Sequence, residues 1–389
     1  MDERIRIAFV TTGDPTDRRS WSGIDHSIAT ALMRHGAEIS YLGPLRSKWE
    51  IVEERLNRAS ALFLGRQYDY THSIVLARRY ARLVQHRLAG RAFDVVFAPS
   101  ASTAIAYLKT SLPIVYLSGT TFRLINGYYP FFSNLLAASV RQSDIVEGRA
   151  IKNASLLLYP SEWAARSARE DYGADGGKVH VLPFGANLDE VPSREATLKR
   201  RRTDECVLLF LGVDWERKGG DIAVETLSRL KALGVPARLI VCGCVPPEGS
   251  ASEDITVIPF LDKNDAKQRE KLAGLFLAAD FLLLPTRSEC FGIVFCEASA
   301  FGLPIIATDT GGVSAAVRDG ENGCLLPSSA RGAEFAEVVR LLYQDQRRYE
   351  QMVRSGRAAF EDRLNWDTWA EKATGLITDM LRKTRAVPG

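Results

Sequence analysis

No apolar run in the sequence approaches the roughly 20 residues of a membrane span. Charge of one sign is scarce too, since 50 lysines and arginines against 47 acids leave a net charge of +3. A pI near 8.5 falls far short of the electrostatic footprint of a nucleic-acid binder. No G-x-G-x-x-G turn follows a strand, which disfavours a nicotinamide enzyme. Cysteine is modest at six residues, mostly inside apolar runs. Cys242 and Cys244 are separated by one residue, without a second pair or histidines at zinc spacing. No metal site is therefore expected, and the thiols read as small core hydrophobes of a reducing compartment. The opening M-D-E-R-I-R-I-A-F-V is too short in its apolar part for a signal peptide, and the expectation is a cytoplasmic protein.

What the chain has is length and alternation. Its 389 residues suit about two domains of roughly 150 residues each. Residues 5–10 read as a strand, a polar loop follows, and a helical pattern runs from Ile24 to Arg34. Gly23 stands at that helix entry, where a missing Cβ admits a ligand or a neighbouring backbone. Further strands are expected at 38–42, 94–98, 113–117, 156–159 and 179–182, with Ser161 as a helix N-cap. The strand at 113–117 feeds S-G-T-T-F-R-L-I-N-G-Y-Y-P, a loop of hydroxyls, glycine and rings of the kind that handles carbohydrate. Between these strands, residues 46–91 are helical and basic, with ten arginines and lysines to four acids and Phe63, Tyr68 and Tyr70 among the charges. Such a face suits anionic lipid head groups or an acidic acceptor, the alternative being a solvated helical surface.

A polar, proline-marked link near residue 190 separates this half from a second alternating series. Strands are expected there at 206–212, 238–241, 255–258, 281–284 and 304–308, with helices between them. Two such series predict an α/β protein of two doubly wound, Rossmann-like domains facing each other across a cleft. The first loop of the second series is G-V-D-W-E-R-K-G-G, in which Arg217 and Lys218 occupy a glycine-flanked turn between strand and helix. That placement suits a diphosphate, although an Arg-Lys pair alone is equally a surface feature.

The stretch from 279 to 326 is denser. A-D-F-L-L-L-P is a strand, T-R-S-E-C-F-G a polar loop, I-V-F-C-E-A-S-A-F-G a helix, and P-I-I-A-T a strand leading into D-T-G-G. The backbone N–H groups of Phe291, Gly292 and Ile293 then lie at a helix N-terminus, where orphan donors and the macrodipole favour an anion. Glu289 and Glu297, eight positions apart, are placed to accept hydrogen bonds from sugar and ribose hydroxyls. The plainer reading makes Glu289 a helix-dipole carboxylate and Glu297 a solvated helical residue. Cys290, beside Glu289, reads as packing or as an active-site thiol.

Together these motifs resemble glycosyltransferase family 4, the retaining enzymes of the GT-B fold, over nearly the whole chain. The most specific part is S-E-C-F-G-I-V-F-C-E-A-S-A-F-G-L-P-I-I-A-T, similar to that family's E-x7-E signature. R-D-G-E-N-G-C-L-L-P, W-E-R-K-G-G, P-F-G-A-N, S-G-I-D and H-G-A-E-I extend it. The resemblance implies an acceptor-binding domain at 1–188, a nucleotide-sugar-binding domain at 189–365, and a terminal helix at 366–389 that caps the second domain or crosses back to the first. It implies that Lys218 and Arg217 neutralise the donor diphosphate, that the backbone at Phe291, Gly292 and Ile293 completes the cradle, and that Glu289 holds the donor sugar and Glu297 the ribose. Gly23 would admit the donor phosphates, and Ser118, Gly119 and Thr120 would lie on the acceptor side.

No D-x-D triplet occurs, which suits the family's metal-independent use of lysine and arginine, and no cofactor is implied beyond the nucleotide-sugar donor. The acceptor would be a carbohydrate, a lipid-linked molecule or a small molecule, with no nucleic-acid partner. Three departures fall mostly on the acceptor side. Val213 follows Gly212 where the family often has arginine. V-S-A-A follows T-G-G where glutamate is common, and neither histidine nor aspartate stands at Ser118 to Thr120. Other readings are a different GT-B enzyme, such as a nucleotide-sugar epimerase or a phosphorylase, and a non-catalytic nucleotide-sugar-binding partner protein.

Overall fold

Short runs of leucine, isoleucine and valine, closed by glycine, proline or a polar turn, become the strands of two parallel sheets. The computed structural model describes residues 4–200, 204–249 and 252–386. The first sheet contains β1 (Arg6–Phe9), β2 (Glu38–Tyr41), β3 (Val95–Pro99), β4 (Ile114–Leu117), β5 (Leu156–Tyr159) and β6 (Val179–Val181), in the order β2-β1-β3-β4-β5-β6. The second contains β7 (Cys206–Leu211), β8 (Ala237–Cys242), β9 (Ile255–Ile258), β10 (Phe281–Leu284), β11 (Ile305–Thr308) and β12 (Gly323–Leu326), in the order β12-β11-β10-β7-β8-β9. All pairings between these strands are parallel. Every residue of β7 is buried, as it must be when helices cover both faces of a parallel sheet.

The chain divides into two compact units: the described residues of Met1–Leu182 with those of Trp369–Gly389, and Pro183–Thr368. Each is a doubly wound, Rossmann-like α/β unit. In each, the strand order reverses direction once, between β1 and β3 in the first and between β7 and β10 in the second. Loops leaving the carboxyl ends of those strand pairs border a crevice, the usual ligand position in such sheets.

The P-F-G-A-N segment belongs to the second unit and is fixed there by close packing. A Cβ on Gly185 would come within 2.3 Å of the Trp366 backbone nitrogen. Ala186 N–H donates to the Leu364 carbonyl (3.0 Å), and the Phe184 ring packs at a tilt against Trp366 with 5.8 Å between centroids. The helix Trp366–Ala386 then buries Trp369, Ala370, Ala373 and Ile377. Leu376 is only half-buried, because Ile377 continues the stripe at the helical period instead.

Two elements differ from the sequence expectation. β12 is an additional strand, started by Gly323, where a Cβ would meet the Ile305 carbonyl oxygen at 2.5 Å. Its four residues, with glycine first, carry too little β-branched character to announce themselves. The hydroxyl-rich loop after β4 is not wholly irregular, since Phe122–Ile125 form one helical turn.

Candidate active site

Asp214 caps the short helix Trp215–Lys218, accepting from Arg217 N–H at 3.0 Å. This cap sends the chain back over the end of β7. Gly212 is needed for that, because its Cβ would stand 2.7 Å from Lys218 Cγ. Gly219, at φ +77°, passes so near β10 that a Cβ would sit 2.0 Å from the Pro285 carbonyl oxygen. Any other residue there would be both strained and blocked.

The loop after β10 locks onto this turn. Arg287 N–H donates to the Arg217 carbonyl (2.7 Å), and the Arg217 guanidinium donates to the Ser288 carbonyl (2.9 Å). Lys218 Nζ is paired with Glu289 Oε2, and Arg217 Nη1 lies 3.7 Å from the same oxygen. Side chains of Lys218 and Glu289 are each only 11% exposed. The Glu289 carbonyl accepts from Gly312 N–H at 3.1 Å, which brings in the glycine loop after β11. Arg217 Nε also lies 3.5 Å from Asp214 Oδ2. Three loops therefore meet at the switch point of the second sheet, with two cations and the carboxylates of Glu289 and Asp214 within reach.

Gly292 (φ +85°) precedes the helix Ile293–Ala300. Among the described residues, the backbone N–H groups of Phe291, Gly292 and Ile293 meet no acceptor, and such donors at a helix N-terminus favour an anion. One turn on, Glu297 is 3% exposed. The solvated reading of this residue is thereby removed: Ile293–Ala300 is buried on nearly all sides, and Glu297 Oε1 accepts from Lys263 Nζ at 2.5 Å. Lys263 comes from the turn after β9, in a D-K-N-D run that carries no chemical signature, and sequence reasoning missed it.

In the first unit, Gly23 (φ +83°) is the N-cap of Ile24–Arg34, preceded by Trp21 and Ser22 at positive φ. Ser118, Gly119 and Thr120 follow β4. A Cβ on Gly119 would lie 3.7 Å from the Trp21 ring, so the loops after β1 and β4 adjoin. Ser118 Oγ donates to the Thr120 carbonyl at 2.7 Å, a local bond that shapes the turn. These residues belong to one unit, and Arg217, Lys218, Glu289, Phe291, Gly292, Ile293 and Glu297 to the other.

Two polar features of the first unit were also missed. Asp25, in the first turn of Ile24–Arg34, is 5% exposed, and its Oδ1 has no hydrogen-bond partner among the described residues. Burial pushes its carboxyl up to about 7. His72 Nδ1 is held by Asp69 Oδ2 at 2.8 Å, with Phe122 and Phe132 at 6.0 and 5.8 Å from the ring. Burial alone would lower the His72 pKa, but the adjacent Asp69 carboxylate raises it overall. Asp69 itself is held well below the usual carboxylate range, its burial outweighed by His72 and three hydroxyl and imidazole hydrogen bonds. The D-x-x-H spacing just before a helix was the available signal. Behind them, Glu147 accepts from Tyr116 Oη at 3.1 Å, and burial pushes its carboxyl up to about 7.

Residues 195–359 match the family described as glycosyl transferases group 1, and residues 26–190 match glycosyltransferase family 4. The chain belongs to the family 4, group 1 glycosyltransferases. It is 29% identical over 307 residues to the D-inositol 3-phosphate glycosyltransferase of Acidothermus cellulolyticus, covering 72% of this chain and 65% of that one. With the protein of the same name from Nocardia farcinica it shares 30% over 256 residues, 60% of this chain and 54% of the other. The match thus spans less than two thirds of the length of these two relatives. Among solved structures, sucrose-phosphate synthase from Thermosynechococcus elongatus is similar with a TM-score of 0.69 at 17% identity, covering 98% and 100% of the two chains. HepE from Anabaena, in complex with UDP-glucose, gives 0.62 at 15% identity, covering 97% and 100%. At these identities the likeness is one of fold, the GT-B arrangement of two Rossmann-like domains.

Proposed function

We propose that this glycosyltransferase moves a sugar from an α-linked nucleotide-diphosphate donor to a hydroxyl acceptor, with retention at the anomeric carbon. One observation carries the reading: Lys218, Arg217 and Glu289 meet at the switch point of the second sheet, near three backbone N–H groups that meet no acceptor among the described residues. Two cations and a helix N-terminus suit a diphosphate, and a carboxylate beside them suits sugar hydroxyls. The second unit is then the donor domain and the first the acceptor domain. Gly23 is assigned to the donor phosphates, and Ser118, Gly119 and Thr120 to the acceptor.

In this account Lys218 and Arg217 oppose the charge that develops on the departing diphosphate, which is where stabilisation counts most. The bond from sugar C1 to the phosphate oxygen breaks. The acceptor oxygen bonds to C1 on the same face, and its proton passes to the leaving diphosphate. Glu289 orients the donor sugar, while Glu297 uses Oε2 for the ribose, Lys263 holding its Oε1. Since side-chain cations carry the phosphate charge and the chain has no D-x-D triplet, turnover proceeds without a divalent metal. The relatives are named for D-inositol 3-phosphate. We therefore assign a polyhydroxylated ring, free or as a lipid head group, as the acceptor class.

The test is release of nucleoside diphosphate from a panel of donors, in the presence of a chelator, with and without inositol phosphates and glycolipid head groups. Acceptor-dependent release with an α-linked product by NMR supports the proposal. Consumption of the nucleotide sugar without acceptor would favour an epimerase, a β-linked product an inverting transferase, and binding without any turnover a non-catalytic partner.

A further inference from the structure

The helix Lys48–Leu64 is turned opposite to a packed surface helix. Its inward positions are polar and satisfied: Glu53 accepts from Ser73 Oγ (2.6 Å), Asn57 from Tyr68 N–H (2.8 Å), and Ser60 Oγ donates to the Arg66 carbonyl (2.7 Å). Glu53 is 3% and Ser60 8% exposed. The large apolar side chains face out instead, with Ile51 at 56%, Leu56 at 54%, Leu62 at 78%, Phe63 at 79% and Leu64 at 63% exposed. Rotating the helix to bury them would strand the polar set, at a cost of about 1–3 kcal/mol for each buried group left unpaired. The exposed apolar face is therefore fixed by the fold.

We propose that this face docks on a bilayer carrying anionic lipids, with Lys48–Leu64 lying along the interface. Charge selects the occupant. Arg46, Lys48, Arg55, Arg58 and Arg66 are exposed on or beside the helix. Of the helix's three acids, Glu53 is buried and Glu50 closes the Ser47 capping box. The third, Glu54, is paired with Arg58 at 2.6 Å. An apolar stripe among exposed cations matches acyl chains under phosphate head groups. The same face set against its own copy would bring like charges together. No helix among the described residues is long and apolar enough to cross a membrane, so the contact is peripheral. The inference stands on this surface and does not depend on the proposed transfer reaction.

The experiment is flotation of the full chain with phosphatidylcholine vesicles, with and without phosphatidylglycerol, at low and high salt. Binding to the anionic vesicles, weakened by salt, is expected. L62E/F63E should lower the bound fraction by about tenfold or more, and R55E/R58E should remove the preference for anionic lipid. All four positions are exposed, so melting temperatures of both variants should match the parent. Absence of binding to anionic vesicles, or equal binding by parent and variants, would overturn the proposal. So would a dimer, seen by light scattering without lipid, that L62E/F63E splits, since a second copy would then be the occupant.

Discussion

Lys218 and Glu289, 71 positions apart in sequence, form a nearly buried ion pair at the ends of β7 and β10. The pair fixes a flexible lysine in the crevice before any ligand arrives, and the nearby Arg217 gives the carboxylate a second cation. Pre-positioned charge of this kind needs no reorganisation when the leaving group departs.

Lys218→Ala should lower kcat by about 100-fold or more while the protein stays folded. Removing the lysine leaves Glu289 with Arg217, so a carboxylate is not abandoned in the core. Glu289→Gln should depress transfer while nucleoside diphosphate affinity changes little, because its proposed role is toward the sugar. Steady-state kinetics and calorimetric titration of both variants check this, and near-normal turnover in Lys218→Ala would contradict it.

Glu297→Gln should weaken nucleoside diphosphate binding by about tenfold, the scale of one lost charged hydrogen bond. Lys263→Met tests the missed partner. If the lysine only orients Glu297, the two losses are non-additive in the double variant. Titrations of the four proteins decide it.

Asp25 predicts a pH dependence of stability. Its carboxyl titrates near 7 in the fold and in the ordinary carboxylate range when unfolded, so the native state binds the extra proton between these values. Stability from this group is full below the unfolded pKa, falls as pH rises toward 7, and is level above it. The total is on the order of 4 kcal/mol. Asp25→Asn should gain on the parent from pH 5 to 7 and hold that gain at pH 8, in denaturant melts. Glu147, also near 7, adds a slope of the same sign that remains in the variant.

His72→Gln should raise the acceptor KM with little change in donor binding if the first unit holds the acceptor as proposed, since the imidazole stands beside Phe122 and Phe132 there. Paired measurement of acceptor KM and nucleotide affinity separates this from a general loss of fold, which would move both.

Much of the fold was legible because strand runs such as Leu156–Tyr159, Ile255–Ile258 and Phe281–Leu284 are short, apolar and punctuated by turns. The helical character of residues 46–91 was legible as well, and the structure divides it into the helices Lys48–Leu64 and Ile74–Leu88. Which face of the first helix turns inward was not legible, because satisfaction of Glu53 by Ser73 is a tertiary fact. Likewise Glu297 read as a ribose ligand or a solvated helical residue, and its bond to Lys263, 34 positions away, was not legible. Local motifs such as W-E-R-K-G-G and S-E-C-F-G marked where the strands end. The pairing of Lys218 with Glu289 required the strand order that sets β7 beside β10.

The central claim is that the crevice at the ends of β7 and β10 holds a nucleotide-diphosphate sugar. Calorimetric titration of uridine, guanosine and adenosine diphosphate sugars into the parent and Lys218→Ala, with chelator present, tests it most directly. At least one donor should bind the parent and lose about tenfold or more in affinity with the substitution. Failure of every donor to bind, or equal binding by both proteins, would contradict it.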